Sequence, residues 1–339
     1  MAAVGSTVLT LADWAKRLDP NGKTAVVAEL LNQTNAILDD ALFKEGNLPT
    51  GERVTLRTGL PSVYFRLLNQ GVPSSKSRTA QVDEQCAILE ARSEIDVDIV
   101  KLNGNTSEFR MSEAEPFIEA MNQTMATTMF YGTSANPEEF VGLSARYAAT
   151  TDGNGQNIIL GGGAGADNTS VWLVGWGQNA IYGAFPKGSR AGLLHEDLGI
   201  ADAFDASNNR FRAYMDRWQW KAGLVVKDWR FGVRIPNVDV SDSIALANSQ
   251  AVGAATFLPK LMARSIDRLP NLGTVKPVFY CNRTILSNLR VMAMEKTINV
   301  LNIENGLTQF GAETQTGLTF LGIPVRPVDA LLNTEALVA

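Results

Sequence analysis

Apolar residues recur along this chain at two periods, and the switches between them divide it. Leu11, Trp14 and Leu18 share one face at helical spacing, so 10–18 is predicted as a short helix with Thr10 and Asp13 placed as a capping pair. Asp-Pro-Asn-Gly breaks it, and a second helix follows at 24–43, with Val27, Leu30, Leu31, Thr34, Leu38, Ala41 and Leu42 in phase. From 53 to 101 the period shortens to two. Val54, Leu56 and Thr58 alternate, as do Ile95, Val97 and Ile99, which predicts extended chain around a loop tip at 71–77. Helical spacing returns at 113–131, opened by a Ser112/Glu115 capping box and ended by Gly132. Phe117, Met121, Met125 and Met129 recur there every fourth residue, a stripe that reads as core.

Beyond residue 150 the pattern becomes β-rich. Strands are predicted at 170–177, 180–185, 211–220 and 223–235. A third region offers a helix at 256–269 with Pro259 in its first turn, a strand at 277–281, a helix over 283–296 opened by Asn282, and a final strand at 318–325. Neither an internal repeat nor a low-complexity segment interrupts the series.

Composition narrows the class. The chain has 339 residues, 45% of them hydrophobic, enough for a substantial core in one or two domains. A net charge of -5 without a run of basic residues argues against a free nucleic-acid binder. Cys86 and Cys281 are too few for a disulfide framework and read as free thiols in a reducing compartment. The start lacks the positive charge of a signal peptide. The longest uncharged stretch, 168–186, carries Asn168, Gln178, Asn179, three glycines and a proline, so it reads as strands and turns of a soluble protein rather than a membrane span. Charge is segregated in the extended region. Arg53, Arg57, Arg66, Lys76 and Arg78 occur with no acid up to Val82, whereas six acids and one arginine follow from Asp83 to Asp98. A hairpin with one basic and one acidic arm, an arm that docks on a neighbouring subunit, and a solvated face each account for this.

Candidate chemistry is sparse. Gly161-Gly-Gly-Ala-Gly-Ala166 has the spacing of a dinucleotide fingerprint, but strand-like sequence follows instead of a helix, so it reads as a hairpin loop. His195 is the sole histidine; without a cysteine cluster or a nucleophile elbow it reads as structural, and no catalytic residue, metal ligand or cofactor is expected. Trp172, Trp176, Trp218, Trp220 and Trp229 suit a sugar-binding face, yet in strands they are more often core or interface anchors.

Three ordered motifs remain. The Met-striped helix runs into Phe130-Tyr131-Gly132 and then Asn136-Pro137-x-x-Phe140-x-Gly142-Leu143; WQWKAGLVVKDWRFGVRIPNVD follows at 218–239, and FLGIPVRPVDALLNTEALV at 320–338. Together these resemble the major capsid proteins of tailed bacteriophages with the Hong Kong 97-type fold, nearest to short-tailed phages of the epsilon fifteen kind. The resemblance spans nearly the whole chain and implies an α+β fold. Its parts are an N-terminal arm (1–50), an extended β-hairpin loop (51–104), a spine helix with a β-rich peripheral region (105–240), and an axial-type α/β region with a C-terminal return strand (241–339). It makes Asn136, Pro137, Phe140, Gly142, Leu143, Trp229, Arg230, Arg234, Asn237 and Asp239 architectural, and the segregated charge adds the hypothesis that Arg57, Arg66, Lys76 and Arg78 lie at an inter-subunit contact.

The function implied is a non-enzymatic subunit that self-assembles, through hexamers and pentamers, into an icosahedral head around double-stranded DNA touched non-specifically. Its location is the virion, with assembly in the host cytoplasm and no membrane partner. A cement or decoration protein, a separate scaffolding protein and a portal are the further partners implied. Lys-Asn cross-linking of subunits is not expected, because no asparagine matches Lys76. The alternatives are a nanocompartment shell of the same fold and a Trp-rich carbohydrate-active or carbohydrate-binding β protein.

Overall fold

The computed structural model describes residues 32–101, 106–204, 208–241, 257–294, 301–307 and 313–339. The predicted helix at 10–18 and most of that at 24–43 lie outside the described residues. In chain order the elements are α1 (Ile37–Asp40), β1 (Phe43–Glu45), β2 (Gly51–Gly59), β3 (Arg78–Gln85), β4 (Ala87–Asp96), α2 (Val97–Lys101), α3 (Thr106–Tyr131) and α4 (Leu143–Arg146). Then come β5 (Asn168–Trp176), β6 (Ile181–Phe185), β7 (Leu193–Phe204), β8 (Arg210–Val226), β9 (Gly232–Asp239), α5 (Leu258–Ile266), β10 (Lys276–Cys281), α6 (Arg283–Met294), β11 (Leu301–Leu307), β12 (Glu313–Phe320) and β13 (Ile323–Pro327). The fold is α+β. Its main sheet runs β11-β12-β13-β10-β5-β6-β8-β4, with β1 on β6, β7 on β8 and β9 on β5; β2 and β3 pair separately. Because β10 hydrogen-bonds β5, the sheet is continuous across residue 240.

Burial explains why these segments settle as they do. Every residue of β5 is buried, so it is a central strand, and its short apolar run with Gly175 is β rather than helix. Helix α3 buries Met121 and turns Met125 and Met129 into the same core, where Phe130 meets Trp172 at 6.1 Å and Tyr280 at 6.4 Å. The methionine stripe is therefore core. Trp172, Trp176 and Trp218 are buried too, and Trp220 and Trp229 pack against that core, so these five tryptophans serve packing rather than an exposed sugar-binding face. Pro259 sits in the first turn of α5, and Asn282 caps α6 by accepting from the Thr284 amide at 3.0 Å.

Several elements differ from the sequence pattern. Residues 41–43, read as the end of a helix, are extended, because Phe43 pairs with Gly183 in a parallel ladder. Val97 and Ile99 belong to a helix: Asp96 accepts the Asp98 amide at 2.8 Å, and the turn this starts buries Val97 and Val100 at helical spacing. Ser112 and Glu115 do not cap α3, which begins at Thr106; burial of Phe109 against Ile95 and Val100 carries the helix past the box. The stretches 211–220 and 223–235 are regrouped into the 17-residue β8, a turn, and β9. Strand β7, missed in the sequence, pairs along β8 from Leu193↔Trp220 to Phe204↔Arg210. The stretch 318–325 is a tight hairpin, since Leu321 and Gly322 both take positive φ (50° and 79°), the conformation of a two-residue turn. Residues 161–166 are not a hairpin loop. Ile158 and β5 flank opposite edges of β9, and Gly161 and Gly163 donate to the Pro236 and Asn237 carbonyls at 2.8 Å each.

The two-armed hairpin is also only partly present. Arg53 pairs with Asp83 at 2.6 Å across β2–β3, but most of the acidic arm is β4, which pairs with β8 instead. Arg217 of β8 accordingly meets Glu90 at 2.7 Å.

Candidate assembly site

Between β2 and β3 the chain leaves the body of the subunit. Leu60, Val63, Tyr64, Phe65, Leu67, Leu68 and Val72 are all exposed, Leu68 at 90% and Phe65 completely. A soluble surface rarely gathers so many large apolar side chains, and such a patch marks a contact with another molecule. Arg57, Arg66, Lys76 and Arg78 lie on or beside this loop, all exposed, and none makes an ion pair within the described residues. The structure thus brings the four cations to one projecting element. Sequence charge alone had spread that element over 53–101; the free part is 60–77, because β2 packs Val54 against Tyr182 and β4 is built into the sheet.

Of the architectural residues, Phe140, Leu143 and Trp229 pack in or against the core that holds Trp172, and Arg234 lies over its ring. Gly132 ends α3, and the loop after it closes on itself when the Gly142 amide donates to the Gly132 carbonyl at 2.9 Å. Asn136 and Pro137 form its exposed tip, where the Glu139 amide donates to the Asn136 carbonyl at 3.1 Å. Phe140 and Leu143 are buried beneath. A side chain at Gly142 would stand 2.6 Å from the Thr128 carbonyl oxygen, so the close return of the chain requires glycine. Arg146, just beyond, binds Glu84 of β3 through two bonds of 2.6 Å and the Leu224 carbonyl at 3.2 Å. This ties the loop to both sheets, and the bidentate geometry suits a guanidinium.

Arg234 is buried over the Trp172 ring, 5.1 Å from its centre. It reaches Glu335 at 2.9 Å, the Ser170 hydroxyl at 3.1 Å and the Tyr147 carbonyl at 2.9 Å. Glu335 also accepts from the Tyr131 and Ser170 hydroxyls. Burial next to this carboxylate pushes the Tyr131 phenol well above its usual range. Asn237, held at φ 57°, bonds both the amide and the carbonyl of Val338 at 2.9 and 2.8 Å. The C-terminal segment is therefore stitched to α3, β5 and β9 at once. Trp229 contributes its carbonyl, which accepts the Tyr147 hydroxyl at 2.6 Å. Arg230 and Asp239 are peripheral: Arg230 pairs with Asp228 at 2.7 Å on the surface, and Asp239 accepts from Ser241.

Arg146, Glu84 and Glu335 escaped the sequence reading, as did a second junction. There Arg110 of α3 pairs with Asp216 at 2.8 Å and Asp197 at 3.0 Å, and His195 bonds Asp216 at 2.9 Å while stacking on Trp218. The one available signal was a lone charge in an apolar run, as in the Gly-Val-Arg-Ile of β9 or the Thr-Glu-Ala-Leu near the end. Among the described residues no group of three or more His, Cys, Asp or Glu is placed to hold a metal ion. No helix among them is long and apolar enough to cross a membrane.

A long helix over a mixed sheet, a projecting apolar loop and a stitched C-terminus are the features expected of the Hong Kong 97-type shell subunit that the sequence motifs resemble, and the likeness to known capsid chains bears this out. Over residues 19–339 the sequence matches the family model described as major capsid protein GP7, and the chain belongs to that family. It is similar to a chain of the near-atomic structure of bacteriophage Epsilon15, with a TM-score of 0.77 and 30% identity, covering 100% of this chain and 99% of that one. The bacteriophage JBD30 capsid is similar at a TM-score of 0.49 and 10% identity, over 89% of this chain and 93% of that one. The capsid of a native GTA particle follows at 0.46 and 10%, over 65% and 95%. No curated protein matches the chain at a significant level. The protein is a structural capsid subunit of the phage virion, which assembles with its own copies into an icosahedral head shell, and not an enzyme.

Proposed function

We propose that residues 60–77 are the element by which each subunit grips its neighbour in the head shell, with Arg57, Arg66, Lys76 and Arg78 as its charged contacts. The supporting observation is the apolar, basic and unpartnered surface of that loop. Docking it contributes to an obligate interface on the order of 2,000–5,000 Å², repeated through hexamers and pentamers so that modest contacts sum over many copies. Residues 1–50 act as the arm, 105–240 as spine and peripheral region, and 241–339 as the axial-type region; within 51–104 the projecting loop is 60–77, since β4 belongs to the main sheet. The architectural residues around Trp172 hold these parts in one geometry.

The shell encloses double-stranded DNA and is assembled in the host cytoplasm. A chain of net charge -5 touches that DNA non-specifically and without the tight grip of a strongly basic wall. Scaffolding, cement and portal proteins are its further partners. The test reverses Arg57, Arg66 and Arg78 to Glu together. The expected result is a soluble, folded subunit that forms no shells in negative-stain micrographs. Shells at the wild-type yield would overturn the docking role.

A further inference from the structure

The ribbon that carries the projecting loop is attached to the body through few contacts. Among the described residues β2 and β3 pair only with each other, so no strand ladder ties them to the main sheet. On the face turned to the body, Val54 and the half-buried Leu56 pack on Tyr182, Ala184 and Val225, with Cys86 in the same small cluster. Two residues along the ribbon, Glu52 of β2 stands directly opposite Glu84 of β3. Each is 8% exposed. Like charges facing across a strand pair repel, and the repulsion grows where water is excluded. Each carboxylate is met by a cation that belongs to the body. Lys44 of β1 reaches Glu52 at 2.9 Å and lies over the Tyr182 ring, 4.1 Å from its centre. Arg146 of α4 grips Glu84 through two bonds of 2.6 Å, while the Val141 and Leu224 carbonyls hold its guanidinium from the body side at 3.3 and 3.2 Å. Burial, and after it the Glu52 and Glu84 carboxylates, push the Tyr182 phenol well above its usual range, so both charges converge on one ring.

We infer that this rung is a charge lock that fixes the direction in which the ribbon leaves the subunit: Glu52 and Glu84 tolerate each other only while Lys44 and Arg146 stand between them and the body. The apolar contact at Val54 is non-directional and by itself holds the ribbon over a range of angles. The carboxylates are not so tolerant. A tilt that slides the ribbon along its apolar contact carries both of them off β1 and α4, and leaves two half-desolvated charges side by side without a cation, a strongly unfavourable state. Pairing rather than buried area therefore sets the angle. The outer face of the same ribbon shows the contrast. Arg53 and Asp83 pair there with each other, both about half exposed, and need nothing from the body. The lock acts within one subunit, so it goes beyond the docking role and holds whatever residues 60–77 touch.

Cys86 reports the lock. Its thiol packs under the ribbon, 3.5 Å from the Ala184 carbonyl oxygen, whereas Cys281 is fully buried in the main core and serves as the reference for global unfolding. The experiment measures modification of both thiols by dithiobis(nitrobenzoic acid) in full-length, dissociated subunits. With Lys44→Met and Arg146→Met together, Cys86 is expected to react about tenfold faster than in the wild type, with Cys281 still protected. Adding Glu52→Gln and Glu84→Gln removes the conflict. The Cys86 rate is then expected to return toward that of the Glu52→Gln, Glu84→Gln protein, the control for any direct effect of the carboxylates on the thiol. A Cys86 rate unchanged by loss of both cations overturns the lock and leaves the Val54 cluster as the attachment. A quadruple variant as fast as the cation-less one overturns it as well, since removing the charges then relieves nothing. If loss of Arg146 unfolds the subunit, seen as Cys281 reacting as fast as Cys86, Lys44→Met with and without Glu52→Gln carries the same comparison and the same outcomes. Shell formation is not read, so the result is independent of loop docking.

Discussion

Replacing Glu335 by Ala removes the group on which the C-terminal stitching converges. Its carboxylate accepts from Arg234, Ser170 and Tyr131, and all of this happens out of water. Deletion leaves the Arg234 guanidinium buried with only the Ser170 hydroxyl and the Tyr147 carbonyl as partners. Breaking a buried ion pair from one side costs about 3–5 kcal/mol, because the surviving charge is stranded. Three bonds to a charged group at about 1.5–3 kcal/mol each set an upper bound near 9 kcal/mol, and relaxation keeps the loss toward the lower figure. The stranded charge has a signature. Arg234→Met added to Glu335→Ala restores part of the loss, so the double variant is more stable than the sum of the single changes implies. The measurement is urea unfolding of dissociated subunits, followed by tryptophan fluorescence, to which Trp172 under the guanidinium contributes. A single-variant loss below about 1 kcal/mol, the worth of an ordinary hydrogen bond, combined with strict additivity in the double variant, would refute the reasoning.

Two further outcomes follow from burial. Phe140→Ala removes a ring that is 1% exposed, and is expected to lower unfolding stability by about 3–5 kcal/mol in the same urea assay and to reduce soluble yield; a shift of the midpoint within error would contradict its core placement. Burial raises the Cys86 thiol to about 11 and the fully enclosed Cys281 thiol to about 12, so neither reacts with a thiol reagent at mildly alkaline pH until the chain unfolds. The unfolded thiols ionise near about 8.5, so their contribution to stability is complete below that pH and is lost as pH rises toward the folded values. A stability that climbs across this window on wild-type protein, but not after both thiols are changed to Ala, would show the sign to be wrong.

Periodicity and turn chemistry made much of this subunit legible without coordinates. The methionine stripe of α3, the buried strand β5, the first-turn Pro259 and the Asn282 cap each follow from local spacing, because a helix face or a strand face is set by neighbours within a few residues. The capsid family was visible in three ordered motifs for a related reason: glycine at 142, the buried Phe140 and the lone arginine of β9 are demanded by close packing that few other residues satisfy. What tertiary structure alone decided is which distant partners meet. Arg234 with Glu335, Arg146 with Glu84, and Arg110 with Asp216 are separated by 101, 62 and 106 positions, so no local pattern pairs them. The same holds for β4, whose acids read as one arm of a hairpin but pair with β8. Strand pairing depends on which edge is free once the core has closed, and that is a property of the whole fold. The projecting loop was legible in outline, as extended chain with segregated charge, but only the fold narrowed it to 60–77, because β2 and β4 find partners within the same subunit.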